Sequence, residues 1–105
     1  MSTYWLRGKL ADGSDARTDG GDPVLTIFLG GGRDERVYCP DSDEYRVTAD
    51  VVDKAVDLGA NIIAYGSWCD ATVEGKLRAK AKGVSVVRYA GLFAFLRNKG
   101  VSFWE

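Results

Sequence analysis

Residues 48–100 read TADVVDKAVDLGANIIAYGSWCDATVEGKLRAKAKGVSVVRYAGLFAFLRNKG, and their alternation of helix, strand, helix, strand, helix decides the fold. Thr48 can accept a hydrogen bond from an orphan amide of a first turn, and Asp50 stands where a negative charge suits the helix dipole. Val51, Val52, Ala55 and Val56 then recur at helical spacing, until Gly59 offers the left-handed conformation that ends a helix. Asn61-Ile62-Ile63-Ala64-Tyr65 is a short apolar run of the kind buried on both faces of a sheet. A second helix is expected from about Asp70, its N-cap, with Val73, Leu77 and Ala81 on the inward face and Gly83 as its stop. Val84 to Tyr89 follows as a strand, parallel to the first because a helical crossover separates them. Leu92, Phe93 and Leu96 make the apolar face of a last helix that stops at Gly100.

The N-terminal half has another texture. Tyr4 to Leu10 alternates imperfectly and predicts a strand, Val24 to Leu29 a strong strand, and Arg36 to Cys39 a shorter one. Between the last two, Gly30-Gly31-Gly32-Arg33-Asp34 predicts a hairpin turn, because consecutive glycines reach positive φ without steric cost. Residues 11–22, rich in Gly and Asp, predict a mobile loop. The expected fold is a single α/β domain over residues 1–105 with a mixed sheet: antiparallel strands first, then an α-β-α-β-α half with parallel strands.

Composition narrows the chemistry. The chain has 105 residues, 46% of them hydrophobic, and no histidine. Lack of histidine excludes Ser-His-Asp and Cys-His nucleophile pairs, two-histidine metal sites and any histidine general base. Cys39 and Cys69 are not at metal-ligand spacing and, in a reducing compartment, are expected to remain thiols. With no long apolar run and no signal-peptide pattern after Met1, the expectation is a cytoplasmic protein that does not enter a membrane. Carboxylates, lysines, cysteines and tyrosines remain for catalysis, a set that suits nucleases in which acidic groups hold a divalent cation and a lysine positions water.

The order strand, strand, strand, helix, strand, helix, strand, helix resembles the restriction-endonuclease-like core, particularly the Mrr-type nucleases. In that family an Asp begins the second strand and a Glu-x-Lys pair lies on the third. Gly20-Gly21-Asp22-Pro23-Val24 sits where the resemblance puts the first acid. The third strand departs from the pattern: Val37-Tyr38-Cys39-Pro40 stands where Glu-x-Lys is expected, and Glu35-Arg36-Val37 lacks the lysine. The resemblance therefore implies a degenerate, non-cleaving member. Were catalysis retained, Asp22 and Glu35 would carry it with Mg2+, and otherwise no cofactor or resident metal is implied. Glu74 to Phe95, centred on Lys80-Ala81-Lys82-Gly83-Val84-Ser85-Val86-Val87, is similar to the closing helix-strand-helix of BRCT domains, which implies a protein-interaction module.

Charge points to partners. Residues 1–70 hold seven basic and thirteen acidic side chains, whereas residues 71–105 hold seven basic and two acidic, although the whole chain carries only −1. Lys76, Arg78, Lys80, Lys82 and Arg88, with Arg97 and Lys99 beyond them, form a candidate patch for the phosphate backbone of DNA or another nucleic acid. The bland alternative is a solvated helix face whose cations suit the dipole. An acidic half and a basic half also allow self-association or another protein partner. The connection Gly66-Ser67-Trp68-Cys69-Asp70-Ala71-Thr72 leads from a strand's carboxyl end to a helix N-terminus, which makes Ser67 and Thr72 candidate ligand contacts and Cys69 a candidate reactive thiol. A packed, inert Cys69 is the competing expectation. The run Asp41-Ser42-Asp43-Glu44 lacks EF-hand spacing and reads as a solvated link into the next helix. Tyr4, Trp5, Tyr38, Tyr45, Trp68, Tyr89, Phe103 and Trp104 make an aromatic set larger than a small core requires, so part of it is expected at a contact surface.

Overall fold

The computed structural model describes residues 3–21, 23–41, 43–67 and 69–104. Its elements run α1 (Thr3–Gly13), β1 (Arg17–Gly20), β2 (Val24–Phe28), β3 (Asp34–Tyr38), β4 (Arg46–Val47), α2 (Ala49–Asp57), β5 (Ile62–Tyr65), β6 (Asp70–Ala71), α3 (Val73–Lys82), β7 (Ser85–Arg88) and α4 (Tyr89–Asn98). The main sheet has five strands in the order β1-β2-β3-β5-β7. β1, β2 and β3 pair antiparallel; β5 pairs parallel with β3, and β7 parallel with β5. This is the expected α/β domain with a mixed sheet, and its Cα radius of gyration of 12.9 Å matches the ~13 Å of one domain of about 100 residues.

Helices cover both faces. Leu6 and Leu10 of α1 and Leu92 and Leu96 of α4 pack on Leu25, Ile27, Val37, Ile62 and Ala64. On the opposite face, Val51, Val52 and Ala55 of α2 and Ala79 of α3 pack on Tyr38, Ile63 and Tyr65. Strand alternation explains the split, since neighbours such as Ile62 and Ile63 must point to opposite sides. β5 is buried along its whole length, as its uninterrupted apolar run requires.

The caps of the C-terminal half follow simple chemistry. The Val51 amide donates to the Thr48 hydroxyl at 3.3 Å, and Gly59 and Gly83 adopt φ of 86° and 72° after α2 and α3. The glycine turn is also as expected. Gly31 and Gly32 both adopt φ of 77°, and the Leu29 amide donates to the Arg33 carbonyl to close the β2–β3 hairpin.

Three expectations are corrected. Tyr4 to Leu10 is helical rather than extended. Leu6 and Leu10 share a face at either period, but the buried set Thr3, Leu6, Leu10 and Gly13 advances by three and four residues, which only a helix satisfies. The segment 11–22, expected as a mobile loop, contains the end of α1 and the whole of β1, a polar sheet edge that pairs Arg17 with Phe28 and Gly20 with Leu25; Asp22 lies outside the described residues. The third correction concerns α3. Asp70 does not cap it: Asp70 and Ala71 remain extended and pair with Arg46 and Val47, so the cap moves to Thr72, whose hydroxyl accepts from the Gly75 amide at 2.9 Å.

The inward face of α3 is corrected with it. Gly75 and Ala79 are buried, whereas Val73 and Leu77 are 68% and 64% exposed and Ala81 is exposed too. Small residues face inward because α3 presses on the β4–β6 pair. A Cβ placed on Gly75 would stand 2.0 Å from the Val47 carbonyl oxygen. No side chain larger than hydrogen fits there.

Candidate functional site

The basic surface is organised by α3. Nη1 of Arg78 reaches both carboxylate oxygens of Asp53 on α2, at 2.9 and 2.7 Å, so the flank of α3 that carries residue 78 faces α2. At 100° per residue, Lys76 and Lys80 lie on the other flank, one turn apart, toward the edge strand β7. Lys82 is exposed in the last turn. Among the described residues none of these three lysines makes an ion pair.

Arg88 closes β7. Its guanidinium stacks 5.1 Å from the centre of the Tyr65 ring and lies 3.8 Å from Asp70. The five expected cations thus divide into three free ones on α3 and two, Arg78 and Arg88, already held by acidic side chains. Arg97 and Lys99 stand apart from them, over the Phe103 and Phe95 rings on the α4 side.

The candidate ligand loop is largely committed to the fold. Thr72 caps α3 through its hydroxyl oxygen and donates the hydroxyl proton to the Val47 carbonyl at 3.3 Å. Ser67 is exposed, and Trp68 lies outside the described residues. Cys69 is 4% exposed, and burial, the largest effect on it, raises its thiol above the ordinary value despite the nearby helix. Its sulfur points at the carbonyls of Glu44 and Asp70, at 3.6 and 3.5 Å. It is packed, as the competing expectation has it. Cys39 is also free and buried.

Glu35 sits mid-hairpin, opposite Ile27, while the start of β2 is opposite Tyr38. Those two positions are three residues apart, about 10 Å along a strand, and residues 35 and 38 face opposite sides of the sheet. At the point of β3 that faces the start of β2, the side chains are Val37 and Tyr38. Among the described residues no group of three His, Cys, Asp or Glu side chains is arranged to hold a metal ion, and no helix is long and apolar enough to cross a membrane.

A second polar constellation was not visible in the sequence. The Tyr38 hydroxyl donates to Oε1 of Glu44 at 2.5 Å, the Asp41 amide donates to the same oxygen at 2.8 Å, and Nζ of Lys54 on α2 lies 3.3 Å from Oε2. Glu44 is not the solvated link residue that its acidic run predicts, since its side chain is only 16% exposed. Burial is the largest single influence and opposes its charge, yet the bonds from Tyr38, Asp41 and Lys54 together hold its carboxyl below the usual range. Burial, reinforced by Glu44, pushes the Tyr38 hydroxyl far above its ordinary value, so it stays protonated and remains a donor. The Tyr38 oxygen first, and Glu44 after it, hold Lys54 in its charged form against a cost of desolvation. Tyr38, Glu44 and Lys54 are separated by six and ten residues across a loop and a helix start, a spacing that carries no periodic signal. The constellation ties the end of β3 to α2 and positions the acidic loop.

Set against known proteins, the chain matches no family model, no curated protein and no solved structure.

Proposed function

We propose that this chain is a non-catalytic, nucleic-acid-associated domain of nuclease-like fold that grips a phosphate backbone through α3. The observation that carries this reading is the pair Lys76 and Lys80 on the flank toward the sheet edge, with Lys82 in the last turn of the same helix, all three exposed and free of acidic partners among the described residues. Arg78 on the same helix is, by contrast, paired with Asp53. Three cations left free on one helix instead suit a polyanion, and the N-terminal acidic excess would orient it toward that side. The antiparallel hairpin followed by parallel strands supports the nuclease-like comparison. Val37 and Tyr38, standing where that comparison puts Glu-x-Lys, support loss of cleavage.

A protein-interaction module is the second reading, favoured by the exposure of Val73 and Leu77, 68% and 64%, on the outermost line of the same helix. Salt separates the two. Backbone binding weakens steeply as salt rises, with a slope of log K against log salt of roughly −2 to −3 for about three phosphates, whereas an apolar contact holds or tightens. Fluorescence anisotropy with labelled duplex and single-stranded DNA and RNA tests the proposal; no binding at low salt removes it.

A further inference from the structure

On the α4 face of the sheet, at the amino-terminal ends of β5 and β7, a cleft of about 230 Å3 opens beside Glu35. Ile62, Val87, Leu92 and Phe95 form its apolar walls, and Glu35 and Asn61 its polar rim. We propose that this cleft binds a small organic cation: a primary ammonium group on a compact apolar body, with the ammonium at Glu35. The proposal is independent of the α3 surface, which lies on the other side of the sheet.

The rim is built rather than incidental. Nδ2 of Asn61 donates to Oε2 of Glu35 at 2.6 Å, and Oδ1 of Asn61 accepts from the Arg36 amide at 2.7 Å. The Asn61 amide and carbonyl are engaged as well, by the Arg36 carbonyl and the Ser85 amide. Asn61 is therefore fixed to the fold through its backbone and Oδ1 and holds one Glu35 oxygen in place through Nδ2, and no donor among the described residues reaches the other. No basic side chain among the described residues lies within ion-pair distance of this half-buried carboxylate. An anionic ligand would set like charges together, and a neutral apolar one would desolvate the carboxylate without compensation. An ammonium supplies both the charge and the missing donor. The volume lies below the roughly 300 Å3 at which drug-sized sites begin, which restricts the body to about a single ring, and Phe95 offers an aromatic wall for it.

The test uses the full chain and three probes of one size: benzylammonium, benzyl alcohol and phenylacetate, each titrated while backbone amide resonances are followed. Benzylammonium is expected to shift the amides of Val87, Leu92 and Phe95 with a dissociation constant of about 1 mM, benzyl alcohol to bind about tenfold more weakly, and phenylacetate not at all. Glu35→Gln keeps an oxygen to accept from Asn61 and is expected to reduce benzylammonium to the level of the alcohol, about a tenfold loss. Ser85→Phe, at an exposed position on the cleft wall, is expected to abolish binding by filling the space. Equal shifts from the three probes, benzylammonium binding unchanged in Glu35→Gln, or no shift at the cleft would each overturn the proposal; the probe comparison on the unmodified chain stands even if a variant folds poorly.

Discussion

Tyr38 and Glu44 meet through a 2.5 Å hydrogen bond that joins the last residue of β3 to the loop before β4. Tyr38 is 1% exposed, so its hydroxyl has no water to fall back on. Tyr38→Phe keeps the ring in its packing and removes only that donor. Loss of a hydrogen bond to a buried charged group costs about 1.5–3 kcal/mol, and chemical denaturation at neutral pH is expected to show a drop of that size with an unchanged m-value.

The same pair gives a pH signature. The folded-state carboxyl of Glu44 is depressed, so its contribution to stability is fully present above the unfolded carboxylate value of about 4.3 and is lost as pH falls through the lower folded value. The stability difference between the unmodified chain and Glu44→Gln is therefore expected to be constant from pH 8 to about 5 and to shrink below that. A difference that grew on acidification would contradict the arrangement.

Gly75 inverts a general rule. In an exposed helix interior Gly→Ala stabilises by about 1 kcal/mol, yet here the added Cβ would meet the Val47 carbonyl oxygen at 2.0 Å and the Thr72 hydroxyl at 3.1 Å. Gly75→Ala must push α3 off the β4–β6 pair and is expected to destabilise by about 3 kcal/mol. Thermal unfolding decides the sign, and Ala81→Gly, at an exposed position of the same helix, serves as the control in which glycine is the worse residue.

The cysteines should resist modification in the folded chain. Burial, partly opposed by the neighbouring Tyr89 hydroxyl, pushes the Cys39 thiol up to about 12, and Cys69 is raised for the same first reason. Thiolate is the reactive form. Iodoacetamide at pH 8 is expected to leave both thiols largely unmodified under native conditions and to label both in denaturant. Rapid native labelling of Cys69 would revive it as a reactive thiol.

The parts of the fold legible in the sequence are those where one residue type has one physical use. Thr48, Gly59 and Gly83 mark helix ends, and Ile62 to Tyr65 marks a strand covered on both sides. Leu6 and Leu10 fit either period, so the sequence alone does not separate a helix from a strand there; the polar β1 has no apolar pattern because a sheet edge needs none. In α3 the eye follows Val73 and Leu77, whereas close backbone approach selected Gly75 and Ala79. The cations of the candidate surface were legible as a charge imbalance, but which of them are free depends on Asp53 and Asp70, brought near by tertiary folding alone. Glu35, a catalytic candidate only were cleavage retained, is held by Asn61, twenty-six positions away in the chain, a contact that no local spacing signals.

The most direct measurement is the salt dependence of nucleic-acid binding by the unmodified chain and by Lys76→Glu with Lys80→Glu. Both residues are exposed, so the double variant is expected to fold as the parent does, which its unfolding midpoint checks. The unmodified chain is expected to bind at low salt with a slope of roughly −2 to −3, and the double variant to lose at least tenfold in affinity and about two from the slope's magnitude. Binding that ignores salt, or that survives the double charge reversal intact, would contradict the assignment of α3 as a phosphate-backbone surface.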